Sequence, residues 1–112
     1  MKARHDETIS DVVIIQPDVY GDGRGRFFEL YHAPRYREHG ILPEFVQDNV
    51  SVSARNVLRG LHYQIDREQG KLVTVLAGSV FDVAVDIRRG SPTFGKWTGY
   101  ELSAANRTQV YI

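Results

Sequence analysis

Between residues 81 and 87 the chain alternates strictly: Phe81, Val83, Val85 and Ile87 are apolar, and Asp82, Ala84 and Asp86 lie between them. Successive side chains of a β-strand point to opposite faces, so this stretch is a strand with one greasy face and one face carrying two carboxylates. The carboxylate face meets either solvent or a polar pocket. In a barrel the inward face can be a ligand cavity while the outward face packs on a second sheet or subunit, so a polar interior is open to this strand. Other short runs rich in β-branched and aromatic residues occupy 12–15, 26–31, 45–53, 57–64, 71–76, 98–102 and 108–112, separated by Gly, Pro, Asn or Ser. Strands this short at this spacing predict a sandwich or barrel. The one helical stretch is 34–39, where Pro34 can begin a helix and Gly40 stops it. The expectation is an all-β fold with one short helix, formed as a single domain over residues 1–112.

Composition narrows the function classes. The chain has 112 residues with 14 basic and 14 acidic side chains, so it lacks the basic excess of a dedicated nucleic-acid binder. It has no cysteine, which removes disulfides, thiolate metal sites and cysteine nucleophiles and fits a reducing compartment. The apolar runs are too short to cross a membrane, and the polar start Met1-Lys2-Ala3-Arg4-His5-Asp6 lacks the apolar core of a signal peptide, so the cytoplasm is expected. Of the 14 basic residues 11 are arginine, several beside glycine or an aromatic ring. Coding bias accounts for such a surplus, and so does a bound anion matched by the guanidinium fork.

Chemistry-bearing residues concentrate in Val57-Leu58-Arg59-Gly60-Leu61-His62-Tyr63-Gln64 and Gln69-Gly70-Lys71-Leu72-Val73. Read as a hairpin, they set an arginine, a histidine and a lysine on neighbouring strands. Histidine takes a proton near neutral pH, and a cation holds the negative charge that results. Asp82 on the next strand could orient His62 or pair with Lys71. That set suits proton abstraction beside a carbonyl; a surface hairpin with solvated charges and a hydrogen-bonded histidine explains the same residues. Arg59 and His62 differ by three positions and would face opposite ways on a regular strand, so their cooperation requires a bulge at Gly60. By parity Gln47 pairs with Asn49 and Phe27 with Glu29, each a small polar platform whose partner can be a ligand. The glycine-rich Gly21-Asp22-Gly23-Arg24-Gly25 puts Arg24 at a turn tip beside Phe27 and Phe28, where a phosphate and a flat ring can be held together; an exposed β-turn is the plainer alternative.

The order and spacing of these segments, together with Phe45-Val46-Gln47-Asp48-Asn49, Val80-Phe81-Asp82-Val83-Ala84-Val85-Asp86-Ile87-Arg88 and Ser91-Pro92-Thr93-Phe94-Gly95-Lys96-Trp97, resemble the dTDP-4-dehydrorhamnose 3,5-epimerase family from about Ile14 to Ile112. The resemblance implies a cupin-type jelly roll (double-stranded β-helix), a homodimer acting without metal or cofactor on a dTDP-linked 4-keto-6-deoxyhexose. It implies inversion at C3 and C5 by proton transfer beside the C4 ketone, in deoxysugar synthesis. Carried onto this chain, His62 matches the general base, Lys71 the enolate-stabilising cation, Asp82 a pocket carboxylate and Arg59 a pocket arginine. Arg24, Phe27, Glu29, Gln47 and Asn49 match positions holding the thymidine diphosphate, some of them across the dimer.

The family pattern continues beyond Ile112 into a P-x-G-F-A-H-G-F segment, a general-acid tyrosine and an aspartate that pairs with the histidine. Tyr111 precedes that segment and is not that acid. The resemblance therefore implies a domain incomplete relative to the family, crippled in epimerisation if 112 residues are the whole product. Two other readings stay open: a truncated cupin that only binds a sugar nucleotide or serves a structural role, and a metal-dependent cupin. For the latter His62, Gln64 and Glu68 form H-x-Q-x3-E, one histidine short of the cupin metal pattern H-x-H-x3-E.

Overall fold

The computed structural model describes residues 1–42 and 44–112. A four-stranded antiparallel sheet is assembled from β1 (Lys2–His5), β2 (Val13–Gln16), β5 (Leu72–Val73) and β8 (Gln109–Tyr111), in the order β1-β2-β8-β5. The second and last strands of the chain thus meet at its centre, with Ile14 opposite Val110. Two hairpins complete the strands: β3 (Val19–Asp22) with β4 (Gly25–Phe28), and β6 (Ser79–Val85) with β7 (Trp97–Ser103). The helix α1 spans Ala33–Glu38, one residue earlier than its sequence signals place it. Pro34 lies in its first turn, and Gly40 at φ +83° closes it in a conformation that a side chain would strain.

The alternation that opened the sequence reading is realised in β6. Asp82 faces Tyr100 and Ala84 faces Thr98 across the hairpin, on the side where Ala84, Tyr100 and the fully buried Leu102 pack with Ile9, Val12 and Val110. Phe81 and Trp97 lie on the other side, both more than half exposed. The carboxylate face therefore turns inward. A second cluster joins Val13, Ile15, Tyr36 and Ile41, so α1 is anchored by one aromatic ring. Burying side chains of this size is worth roughly 1.5–3 kcal/mol each, which is why β2, apolar on both faces, sits between neighbours rather than at an edge.

Several expected strands differ. Residues 45–53 and 57–64 carry strand-like sequence but form no strand, because a ladder needs a partner backbone and the described residues offer them none. The bulge expected at Gly60 is consequently not a bulge; Gly60 instead adopts φ +108°, where glycine is at ease. The strand expected over 71–76 shortens to Leu72–Val73, and that over 26–31 ends at Phe28. Conversely β1 was hidden in the polar start: only Ala3 faces the second cluster, while Lys2, Arg4 and His5 are exposed as suits an edge strand.

Candidate active site

The β3–β4 hairpin closes through Gly23 and Arg24, since Asp22 already pairs with Gly25. Gly25 at φ +146° permits this tight return. The Asp22 carboxylate accepts from the Arg24 backbone N–H at 2.8 Å and from its guanidinium at 2.6 and 3.1 Å, and this pairing holds the Asp22 carboxyl below the usual carboxylate range. Arg24 is thereby aimed along the rim of an open recess of about 400 Å³ lined also by Tyr20, Arg26 and Phe27. Two guanidinium groups and two aromatic faces around one concavity suit a ligand with a multiply charged end and a flat end. The ion pair is at the surface, where water weakens it, so an incoming anion can compete for the Arg24 fork.

Glu29 falls just past β4 and is held by Arg35 of α1 at 2.9 and 3.0 Å. The helix is itself fixed from below. The Tyr36 hydroxyl lies 2.7 Å from the Gln109 side-chain oxygen and 2.8 Å from the Leu30 carbonyl, which also accepts from the Gln109 amide at 2.9 Å. Burial, with the Glu29 charge adding to it, pushes the Tyr36 phenol up to about 12, so it stays a neutral donor. Arg35, Tyr36 and Gln109 escaped the sequence reading. The one signal was Gln109, a polar side chain in an otherwise apolar final strand.

The remaining site residues lie on an exposed segment, and every residue from 46 to 71 is exposed. The Gln47 amide donates to Asn49 at 3.2 Å, so that expected pair does form. Arg59 donates to the Ser53 hydroxyl at 3.0 Å. The Lys71 ammonium reaches Gln64 and Gln69 only at 3.4 and 3.5 Å, long for hydrogen bonds. His62 has no hydrogen-bond partner among the described residues, and its Nδ1 would lie 3.9 Å from a Cβ placed on Gly60. The expected contacts of Arg59 with His62, and of Asp82 with His62 or Lys71, are likewise not made among the described residues.

The two carboxylates of the alternating stretch, Asp82 on β6 and Asp86 just past its end, have different fates. Asp86 is buried and fully engaged by Arg88, Ser91 and Thr93, with Arg88 the largest of the influences that hold its carboxyl well below the usual range. Arg88 also reaches Asp11, so this group ties the turn after β6 to the start of β2. Asp82 has no side-chain partner among the described residues, and burial raises its carboxyl while the Val83 N–H partly offsets that. An inward carboxyl without a structural job is the one free to meet a ligand or a catalytic cation. No three His, Asp or Glu side chains among the described residues converge as a metal site.

A family model described as dTDP-4-dehydrorhamnose 3,5-epimerase matches residues 6–112. A Pseudomonas aeruginosa protein of that name is 59% identical over 105 residues, covering 93% of this chain and 58% of its own length. Among solved structures, dTDP-6-deoxy-D-glucose-3,5-epimerase from Legionella pneumophila, in complex with dTDP-4-keto-L-rhamnose, superposes with a TM-score of 0.95 at 56% identity, over 99% of this chain and 59% of that one. The Bacillus anthracis dTDP-4-dehydrorhamnose 3,5-epimerase, with TDP and PPi bound, gives 0.93 at 41% identity, over 99% and 64%. The chain thus spans a little under three-fifths of the length of the Pseudomonas relative, and its strands are those of a cupin-type jelly roll. With nearly every residue inside that match, the chain belongs to the dTDP-4-dehydrorhamnose 3,5-epimerase family.

Proposed function

We propose that the chain serves epimerisation of a dTDP-linked 4-keto-6-deoxyhexose, converting dTDP-4-dehydro-6-deoxyglucose to dTDP-4-dehydrorhamnose. The observation that carries this is the superposition over 99% of the chain on an epimerase holding dTDP-4-keto-L-rhamnose. In this reading the thymidine diphosphate occupies the β3–β4 recess, with Arg24 on the phosphates, Phe27 beside the base, and Glu29, Gln47 and Asn49 as its polar contacts. His62 removes the proton at C3 or C5, and the electron pair delocalises onto the C4 oxygen. Lys71 stabilises the resulting enolate, a charge that exists only after proton removal, so the ammonium lowers the barrier more than it tightens substrate binding. Asp82 faces this pocket from β6, and Arg59 adds a cation beside the sugar or diphosphate. Reprotonation from the opposite face, by the acid that the family pattern places beyond Ile112, inverts the carbon. No electrons leave the substrate, so the reaction asks the residues only for acid–base and electrostatic work.

The working unit in this reading is a homodimer in the cytoplasm, with residues 1–112 forming one epimerase domain. Val46, Val50, Val52, Leu58 and Ile65 are each at least four-fifths exposed on the segment that bears the base, an apolar row that a second subunit would cover. Covering it would also remove water from around His62. The test is to incubate the chain, alone and extended through the family segment beyond Ile112, with dTDP-4-dehydro-6-deoxyglucose in heavy water and follow deuterium at C3 and C5 by NMR. Deuterium at both carbons is expected. A folded chain that binds thymidine diphosphate yet incorporates none has a binding role only.

A further inference from the structure

Lys71 is poorly held by its own side-chain contacts, at 3.4 and 3.5 Å to two exposed amides, so its position must come from the main chain. Two contacts fix that main chain. The Lys71 N–H donates to the Ile112 carbonyl at 2.8 Å, and the Ile112 N–H returns to the Lys71 carbonyl at 2.9 Å. One residue earlier, Gly70 lies directly under the ring of Tyr111: a Cβ there would sit 2.7 Å from the Tyr111 hydroxyl oxygen, 3.0 Å from Cε2 and 3.1 Å from Cζ. The ring is not free to swing away. It packs beside the Val13, Ile15, Tyr36 and Ile41 cluster, its strand is paired on both sides, and its edge meets Phe45 with centroids 6.2 Å apart. Phe45 leads into the segment carrying Gln47 and Asn49, so one ring meets both the residue before Lys71 and the start of that segment.

We propose that Tyr111 is a positioning residue whose ring, seated on the bare backbone of Gly70, sets the direction in which Lys71 presents its ammonium. The role of Lys71 in this statement rests on the epimerase reading; the packing relation does not. Gly70→Ala forces ring and backbone apart and turns Lys71 away, whereas adding Tyr111→Phe removes the 2.7 Å contact and leaves those of 3.0 and 3.1 Å, which a shift of a few tenths of an ångström relieves. The expected result is a loss of at least tenfold in kcat for deuterium entry in Gly70→Ala with KM within twofold, and recovery of most of that loss in Gly70→Ala/Tyr111→Phe.

A second readout does not depend on turnover. The chain has three lysines, Lys2, Lys71 and Lys96, so reductive ¹³C-methylation gives an NMR signal for each besides the N-terminal amine. The Lys71 signal alone should move in Gly70→Ala and return in the double variant. The proposal is overturned if the Lys71 signal stays put in Gly70→Ala, if all lysine signals move together, or if Tyr111→Phe restores nothing. If the wild-type chain exchanges no deuterium while the Lys71 signal behaves as stated, the epimerase reading fails and the positioning relation stands.

Discussion

The sheet around β2 and β8 and the exposed segment from residue 46 to 71 are built on opposite plans. In the sheet the polar side chains are committed: Tyr36 and Gln109 satisfy one another, Asp86 is saturated, and no buried side-chain nitrogen or oxygen among the described residues lacks a partner. In the segment His62 is unpartnered among the described residues, Lys71 makes long contacts and the apolar side chains face outward. Groups that hold a fold together have no bonding capacity left for a ligand, and groups that keep that capacity contribute little to the fold. Stability and free bonding capacity are thus assigned to different stretches of one chain, and substitutions can separate them.

The largest break should come from the centre of the sheet. Ile15→Ala opens a cavity at a fully buried position and should cost about 2–5 kcal/mol, read as a lower urea midpoint with unchanged slope. Tyr36→Phe is gentler: it strands the buried Gln109 oxygen and should cost about 1–3 kcal/mol. Acid attacks the same region through Asp6. Burial alone would raise its carboxyl, but hydrogen bonds from Tyr100, the Ile9 N–H, Thr98 and the Thr8 N–H outweigh it and hold it at about 2 against 3.8 unperturbed. A carboxyl depressed in the folded state stabilises fully above its unfolded value, so this contribution is present above about pH 4 and is lost as pH falls towards 2. Asp6→Asn should flatten the stability profile in that window. A profile unchanged by the substitution contradicts the assignment.

Substitutions in the exposed regions should hardly move the urea midpoint. His62→Ala and Arg24→Ala are each expected to stay within about 0.5 kcal/mol of the parent. Their effects belong elsewhere: Arg24→Ala should weaken thymidine diphosphate binding roughly tenfold or more, about 1.4 kcal/mol, measured by calorimetry. A drop in stability as large as that of Tyr36→Phe would erase the distinction between the two regions.

How much of this was legible in the sequence follows the same division. Alternation marked β6 and the face that carries the carboxylates but not which way that face turns, and Gly and Pro marked the hairpin turn and α1, because these signals are local. The stretches 45–53 and 57–64 read as strands because their side chains suit a pleated surface, yet a strand exists only against a partner backbone. β1 went unseen because its pairing with β2 is a tertiary fact imposed on a polar run. Motif order singled out His62, Lys71 and Asp82 but carried no information on their distances from one another. The supports, Arg35, Tyr36 and Gln109, are ordinary residue types whose meaning arises only where β4, α1 and β8 meet.

The most direct test sets His62→Ala beside the parent chain, matching urea midpoints first and then following deuterium entry at C3 and C5 of the keto sugar nucleotide. The account predicts equal midpoints, equal affinity for thymidine diphosphate, deuterium at both carbons with the parent and none above background with the variant. Exchange by the variant at the parental rate would contradict it, and so would loss of exchange that tracks loss of folded protein.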